Sequence, residues 1–523
     1  MKIGSVATGL IVLALAAAPI VRHRLGWADA EAQTRPTHGI DPAIVPPTIV
    51  GMNLGLVAYY NSEDAFADPV KSHGAPFVNN VPLAELPKIS RDDGGHPIDT
   101  PAGTTLLFKI HDGTTPFVRG TYRCTISPGW RVEGVLGSEV SQSGTKFTIV
   151  GHELDKQVLQ VNLTAEKNGA ALTNLACRYP DVAADAMFRS DYLADMRPFR
   201  VIRFMDWMRT NNQPHQTWAI RPTPQSLNQI DNGVALEHMV ELANQLHSDP
   251  WFTLPWDADE EYYRNFATYV RDHLDPGLKA YVELSNEVWN DSFTQSKDAT
   301  AKGEMLYPGV TDDKANDYYY ADRVRALMMI WGDVYKGQEK RIVRVMASQL
   351  WAQRGDQRLG HKDSWKYVDA LAIAPYWGDV PNDIPGTGKA RIDATLAKAP
   401  SYIDKVLRDA HDNKVMAAKY GLPVIAYEGG PGFNAFDPAM TKDMTDLLHD
   451  PRLYDLYMSF LRRWQKEIGG TLVLYQGIGN GFWGHLDYTG QPLSDAPKMR
   501  AVVDFIHQLP GDQQPRAAAK PAP

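Results

Sequence analysis

Apolar and polar residues alternate along this chain in two rhythms. In its second half, short and almost unbroken apolar runs are separated by longer segments whose apolar positions recur every three to four residues. The runs are FRVIRFMDWM (199–208), WFTLPW (251–256), AYVELSNE (280–287), RIVRVMAS (341–348), DALAIAPYW (369–377), LPVIAYEGG (422–430) and TLVLYQG (471–477). Strands buried on both faces read this way, and helices fit the segments between them, at 233–247, 260–273, 316–337 and 440–468. The pattern predicts a parallel sheet covered by helices. With TIVGMNLGLVAYY (48–60) as the first strand the count reaches eight, the number that closes a (β/α)8 TIM barrel. An open, doubly wound sheet is the competing α/β architecture, but no glycine-rich phosphate loop follows the early strands.

Between residues 80 and 180 the rhythm shortens. TLLFKI, GTYRCTI, KFTIV, QVLQVNLTA and LTNLACRY are β-prone runs separated by Gly, Asp, Asn and Ser. They predict a small all-β, sandwich-like domain inserted after the first barrel strand, so that the barrel occupies 48–79 and 181–508. Residues 31–47 read as a polar, proline-rich linker. Residues 509–523, ending in GDQQPRAAAKPAP, read as a disordered tail. Segments 290–313 and 377–388 are read as loops that shape the groove.

Residues 3–21 form an almost uncharged apolar run after Lys2, and Ala28-Asp29-Ala30 has the small-residue pattern of a signal-peptidase site. The favoured reading of 1–30 is a cleaved export signal, placing the protein in the periplasm or outside the cell. Because Arg22-His23-Arg24 follows the run directly, an uncleaved membrane anchor is the alternative, and the one membrane contact expected. An exported chain meets an oxidising compartment, and its two cysteines, Cys124 and Cys177, allow one connectivity. A disulfide is therefore expected, with two buried thiols as the alternative. A net charge of −9 without a basic run argues against nucleic acid or anionic lipid as the main partner. The 13 Trp and 23 Tyr lean toward a carbohydrate ligand, since aromatic faces stack on sugar rings.

Reactive side chains of a (β/α)8 barrel sit at the C-terminal ends of its strands. Glu287 ends the fourth strand and Glu428 the seventh, so both face one mouth. Cleavage of a glycosidic bond needs such a pair: one carboxyl protonates the leaving oxygen while the other attacks the anomeric carbon or activates water. Competing chemistries lack their signatures. The 15 His show no metal-binding spacing, and no G-x-S-x-G elbow follows a strand, so no cofactor is called for.

The Asn286-Glu287 pair closing strand four and Glu428 closing strand seven resemble the pattern of the clan A glycoside hydrolases. That resemblance implies a retaining (β/α)8 enzyme with Glu287 as acid/base, Glu428 as nucleophile and Asn286 as donor to the sugar 2-hydroxyl. It also implies that Arg203 and Tyr376 steady the Glu428 carboxylate and that Trp483 is an aromatic platform under the sugar. Trp289 and Trp256 are further candidate sugar contacts. RFMDWMRTNN together with ELSNEVWN is also similar to uncharacterised bacterial proteins sometimes labelled cellulose-binding. The chain departs from clan A at strand three, where Pro255-Trp256-Asp257 replaces a frequent His, and at strand six, where Ala374-Pro375-Tyr376 replaces His-x-Tyr. The function expected is a retaining hydrolase of a polysaccharide, an exopolysaccharide or β-glucan, working through two glutamates. The competing expectation is a non-catalytic polysaccharide-binding or scaffold protein on the same barrel; for Arg203 itself the alternative is a structural salt bridge with Asp206.

Overall fold

The computed structural model describes residues 40–516 except 59, 74–76, 79–80, 83–88, 113–119, 136–137, 152–157, 379–383, 385, 434, 436 and 480–481. The export run, its cleavage motif, residues 31–39 of the linker and 517–523 of the tail lie outside the described residues.

Eight parallel strands close a barrel: β1 (Ile49–Asn53), β2 (Val201–Arg203), β3 (Asp249–Leu254), β4 (Ala280–Leu284), β5 (Ile342–Ala347), β6 (Ala370–Ile373), β7 (Val424–Ala426) and β8 (Thr471–Leu474), with β8 pairing back onto β1. Each coincides with an apolar run of the sequence, β3 starting two residues before its run, because every second residue faces the barrel interior and the others face the helices. Val201, Trp251, Tyr281, Val345, Ile425 and Val473 pack together inside. Ile202, Phe252, Val282, Met346, Val424 and Leu472 join the larger core under the helices. At Gly51 a Cβ would stand 2.8 Å from the Val201 Cβ, so only glycine fits that inward position of β1.

The same alternation turns Asn53, Arg203, Glu283 and Tyr427 inward above this apolar layer, and all four are buried. The barrel thus changes from apolar to polar one step below its C-terminal rim.

The all-β domain lies between β1 and β2 and consists of two antiparallel sheets. One contains Leu175–Arg178, Gly120–Ile126, Lys146–Gly151 and Glu139–Ser143; the other is centred on Thr105–Asp112, Val158–Ala165 and Trp130–Val135. Leu106, Phe108, Tyr122, Trp130, Phe147 and Leu163 fill the space between them. Two of the domain's strands, Trp130–Val135 and Glu139–Ser143, lie outside the β-prone runs named from the sequence. Cys124 and Cys177 stand directly opposite on neighbouring strands and form a disulfide.

Three expectations differ from the structure. The helical segment 440–468 is two helices, Pro438–Leu448 and Arg452–Glu467, parted at Pro451, which has no N–H to continue the first. Segment 290–313, read as a loop, contains the helix Thr294–Leu306. That helix buries few side chains, which hides its periodicity, and Gly303 lets it approach the backbone of Ala315 closely. Residues 509–516, read as tail, lie against the barrel floor. Gln513 accepts from the Thr48 amide at 3.1 Å, and Arg516 pairs with Asp249 at 2.8 Å. Among the described residues no helix is long and apolar enough to cross a membrane.

The disulfide closes a loop across a sequence separation of 53 residues. Its removal by Cys124→Ser with Cys177→Ser is expected to destabilise the inserted domain by about 2–4 kcal/mol. Hydrogen exchange should accelerate in Gly120–Ile126 and Leu175–Arg178 while the barrel strands keep their protection; unchanged exchange in these two strands would contradict it.

Candidate active site

Arg203 ends β2 facing inward and is fully buried. Its guanidinium carries five N–H donors. Nε donates to Glu283 Oε2 at 3.1 Å, and Nη2 lies 3.0 Å from the same oxygen. Nη1 donates to Asn53 Oδ1 at 2.9 Å and to Glu428 Oε1 at 2.8 Å. Nη2 also donates to Asn286 Oδ1 at 2.8 Å. Strands β1, β2 and β4 and the end of β7 are thereby tied to one cation. The ion-pair partners of Arg203 are Glu283 and Glu428, while Asp206 takes its hydrogen bond from Tyr475.

Glu428 follows the inward-facing Tyr427 at the end of β7 and is buried. Its second oxygen accepts from the Tyr376 hydroxyl at 3.0 Å. Tyr376 in turn packs edge-on to Trp483, ring centres 5.2 Å apart, and Trp483 packs edge-on to Tyr475 at 5.6 Å. Trp483 keeps part of its surface exposed, as a stacking platform requires.

Glu287 lies beyond β4, where the backbone turns sharply: Ser285 has φ 59° and Glu287 φ 43°. Left-handed conformations at non-glycine residues cost about 1–3 kcal/mol each and persist where surrounding contacts impose them. Here Gln295 holds the turn, its Nε2 donating to the Asn286 carbonyl and to Asn211 Oδ1, both at 2.9 Å. Asn286 Nδ2 also donates to Asn211 Oδ1, at 3.2 Å. Asn290 Nδ2 donates to Glu287 Oε2 at 2.9 Å. Burial, and after it the negative charge of Glu428, raises the Glu287 carboxyl well above the usual carboxylate range.

Two further acids belong to this region and were not singled out as candidates from the sequence. Glu283 is buried, accepts from Trp251 Nε1 at 2.7 Å, and is pushed up to about 7, first by burial; Arg203 opposes that rise. Its Oε1 has no hydrogen-bond partner among the described residues. Asp206, just past β2, accepts from the Tyr475 hydroxyl at 3.1 Å and is raised to about 6 by burial, with Glu428 adding to the rise. Strand alternation marks Glu283 as inward-facing. Asp206 carries no comparable signal, because it sits in irregular backbone.

The remaining aromatic candidates divide. Trp289 is half-buried and donates to the Tyr427 hydroxyl at 3.2 Å, beside the carboxylates. Trp256 is buried in packing with Tyr319 and Tyr320, under Arg323, and its indole donates to Asp298 at 2.8 Å. It does not join the cluster around Arg203; both its faces and its N–H are taken by the helices behind β3 and β4. Among the described residues no group of three or more His, Cys, Asp or Glu could hold a metal ion.

No family model and no curated protein sequence matches this chain. Among solved structures it is similar to the GH51 arabinofuranosidase from Xanthomonas axonopodis pv. citri, at 12% identity over 58% of this chain and 63% of that one, TM-score 0.36. The alpha-L-arabinofuranosidase from Thermotoga maritima is matched at 12% identity over 61% and 63%, TM-score 0.39. A beta-glucosidase from Thermotoga maritima is matched at 12% over 60% and 84%, TM-score 0.35. The chain spans 63% of the length of both arabinofuranosidases. Likeness at this level assigns no residue and no activity.

Removing the cation should leave Glu283 and Glu428 buried without a counter-charge. Arg203→Met is expected to cost about 3–5 kcal/mol in urea unfolding at neutral pH, and less as falling pH protonates Glu283. Adding Glu283→Gln should return part of the loss. A cost under about 1 kcal/mol, independent of pH, would show that Arg203 is not the electrostatic centre described here.

Proposed function

We propose that this protein is a retaining glycoside hydrolase of a polysaccharide, with Glu287 as acid/base and Glu428 as nucleophile. The observation that carries the reading is the unequal treatment of the two carboxyls. Glu428 accepts from Arg203 and Tyr376, which fix its orientation, while burial and the Glu428 charge favour the protonated form of Glu287. One site thus holds a nucleophile and a proton donor at the same pH.

In the first step Glu287 gives its proton to the glycosidic oxygen as the bond to the anomeric carbon breaks. A Glu428 oxygen bonds that carbon from the opposite face, forming a covalent glycosyl-enzyme. In the second step Glu287, now ionised, takes a proton from water, the water oxygen attacks the anomeric carbon, and the bond to Glu428 breaks. Two inversions give net retention. Carboxyl oxygens about 5–5.5 Å apart suit this sequence. Arg203 orients Glu428 for attack and also holds Asn286 Oδ1, which leaves the second Nδ2 hydrogen of Asn286 to donate to a sugar hydroxyl. Trp483 supplies the apolar face under the ring, and Trp289 a second wall.

The cross-strand disulfide suits an oxidising compartment, so we place the activity outside the cytoplasm, on polysaccharide in the periplasm or medium. The inserted domain and the barrel are proposed as separate folding units divided near residues 80 and 180.

The test is hydrolysis of a panel of bacterial and plant polysaccharides, read by mass spectrometry of released oligosaccharides. Glu287→Gln and Glu428→Gln are each expected to lower turnover by at least about 10²-fold. Because Glu287 must enter the first step protonated, activity should fall as pH rises through its raised value, about 8. Glu287→Gln should lose that alkaline limb. Polymer binding that survives both substitutions, with no products from any polymer, would favour the binding-protein alternative.

A further inference from the structure

Four carboxyl groups meet around the mouth, Glu283, Glu287, Glu428 and Asp206, and the charge of Glu428 reaches each of the other three. Arg203 is the cation among them, and its N–H groups are all engaged by Asn53, Glu283, Glu428 and Asn286. None remains for a ligand. Arg209 also acts on Asp206, and its Nε is given to the Ile230 carbonyl at 2.8 Å.

Asp206 is partly exposed. One of its oxygens accepts from Tyr475, whose ring stands 5.6 Å from that of Trp483; the other has no hydrogen-bond partner among the described residues. An acceptor with an unpartnered oxygen is therefore joined through Tyr475 to the aromatic platform, in a mouth where, among the described residues, four carboxyls meet around one buried arginine. A carboxylate is acceptor-only, so what it recognises is a donor, and a neutral sugar offers hydroxyl donors around its ring.

We propose that Asp206 contacts substrate, accepting hydroxyl hydrogen bonds from the sugar on Trp483, and that the charge of the mouth restricts it to glycosyl residues without a carboxylate. The proposal rests on the glycosidase reading of the same site. It separates neutral polymers such as glucans, mannans and galactans from uronate polymers. A uronate carboxylate held there would meet like charges around an arginine whose donors are already taken, in a partly desolvated site.

The test uses the full chain and polymer pairs that differ only at carbon 6: a neutral polysaccharide and the same polymer with its 6-hydroxyls oxidised to carboxylates. Oligosaccharide release is read on wild type, and polymer retention by affinity electrophoresis on wild type and Glu287→Gln. The neutral member should be favoured by about tenfold or more in kcat/KM or in retention. Asp206→Asn, which keeps an oxygen for the Tyr475 hydroxyl, should narrow that preference by about threefold or more and raise KM for the neutral polymer more than it lowers kcat. A purely structural Asp206 would leave the ratio unchanged, and an unchanged ratio overturns the proposal. So does an oxidised polymer cleaved or retained as well as its neutral parent, and in both cases the two-glutamate chemistry still stands. Neutral polymers retained selectively but never cleaved would remove the glycosidase reading and keep the charge selection. If no polymer is retained or cleaved, both fall.

Discussion

Arg203 holds together groups from four parts of the barrel wall that would otherwise repel one another or go unpaired. Its guanidinium meets Asn53 on β1, Glu283 and Asn286 from β4, and Glu428 from β7, and its flat faces lie over Tyr427 at 5.0 Å and Trp251 at 5.8 Å. Directly below is the apolar interior of Val201, Trp251 and Val473. Charges buried over such a layer are tolerable only when paired and hydrogen-bonded. One cation among several acids leaves negative charge in excess, and a proton on one acid is the simplest relief. Glu287, which has one donor and no ion pair among the described residues, is the acid that burial and then Glu428 raise furthest, to about 8 against about 7 for Glu283 and about 6 for Asp206. The proposed division of roles between the two glutamates thus rests on the charge balance around a single buried arginine.

The inserted domain shares in that arrangement through the segment after β2. Leu227 of this segment packs into the core of the inserted domain, and its amide donates to the Gly94 carbonyl at 2.9 Å. The same segment carries Asp206 toward Tyr475, Asn211 toward Asn286, and Asn212 toward Gln295. Thr210 anchors it to Thr253 on β3 at 2.6 Å. A domain remote from the carboxylates in sequence therefore steadies the segment that frames them.

The barrel was legible in the sequence because a strand buried on both faces leaves an apolar run that few other elements imitate. Strand ends then located Glu287 and Glu428, and alternation put Arg203 inward. Glu283 was just as visible to alternation, since it lies two residues after Tyr281 on an inward face, but a carboxylate in a barrel interior is recognised only once its cation is known. Asp206, Asn211 and Gln295 lie in irregular backbone or on a weakly amphipathic helix, where spacing carries no information about direction. Trp256 shows the opposite difficulty: an aromatic after a strand end serves a sugar or a helix interface equally well, and Tyr319, Tyr320 and Asp298, distant in sequence, decide for the interface.

The central claim, a covalent intermediate on Glu428, is tested most directly by trapping. The protein is incubated with an activated 2-deoxy-2-fluoro glycoside of the sugar it cleaves, and its peptides are mapped by mass spectrometry. The account predicts one glycosyl unit on the peptide that carries Glu428, and none in Glu428→Gln. A glycosyl unit on Glu287, or products of inverted anomeric configuration with no adduct anywhere, would contradict it.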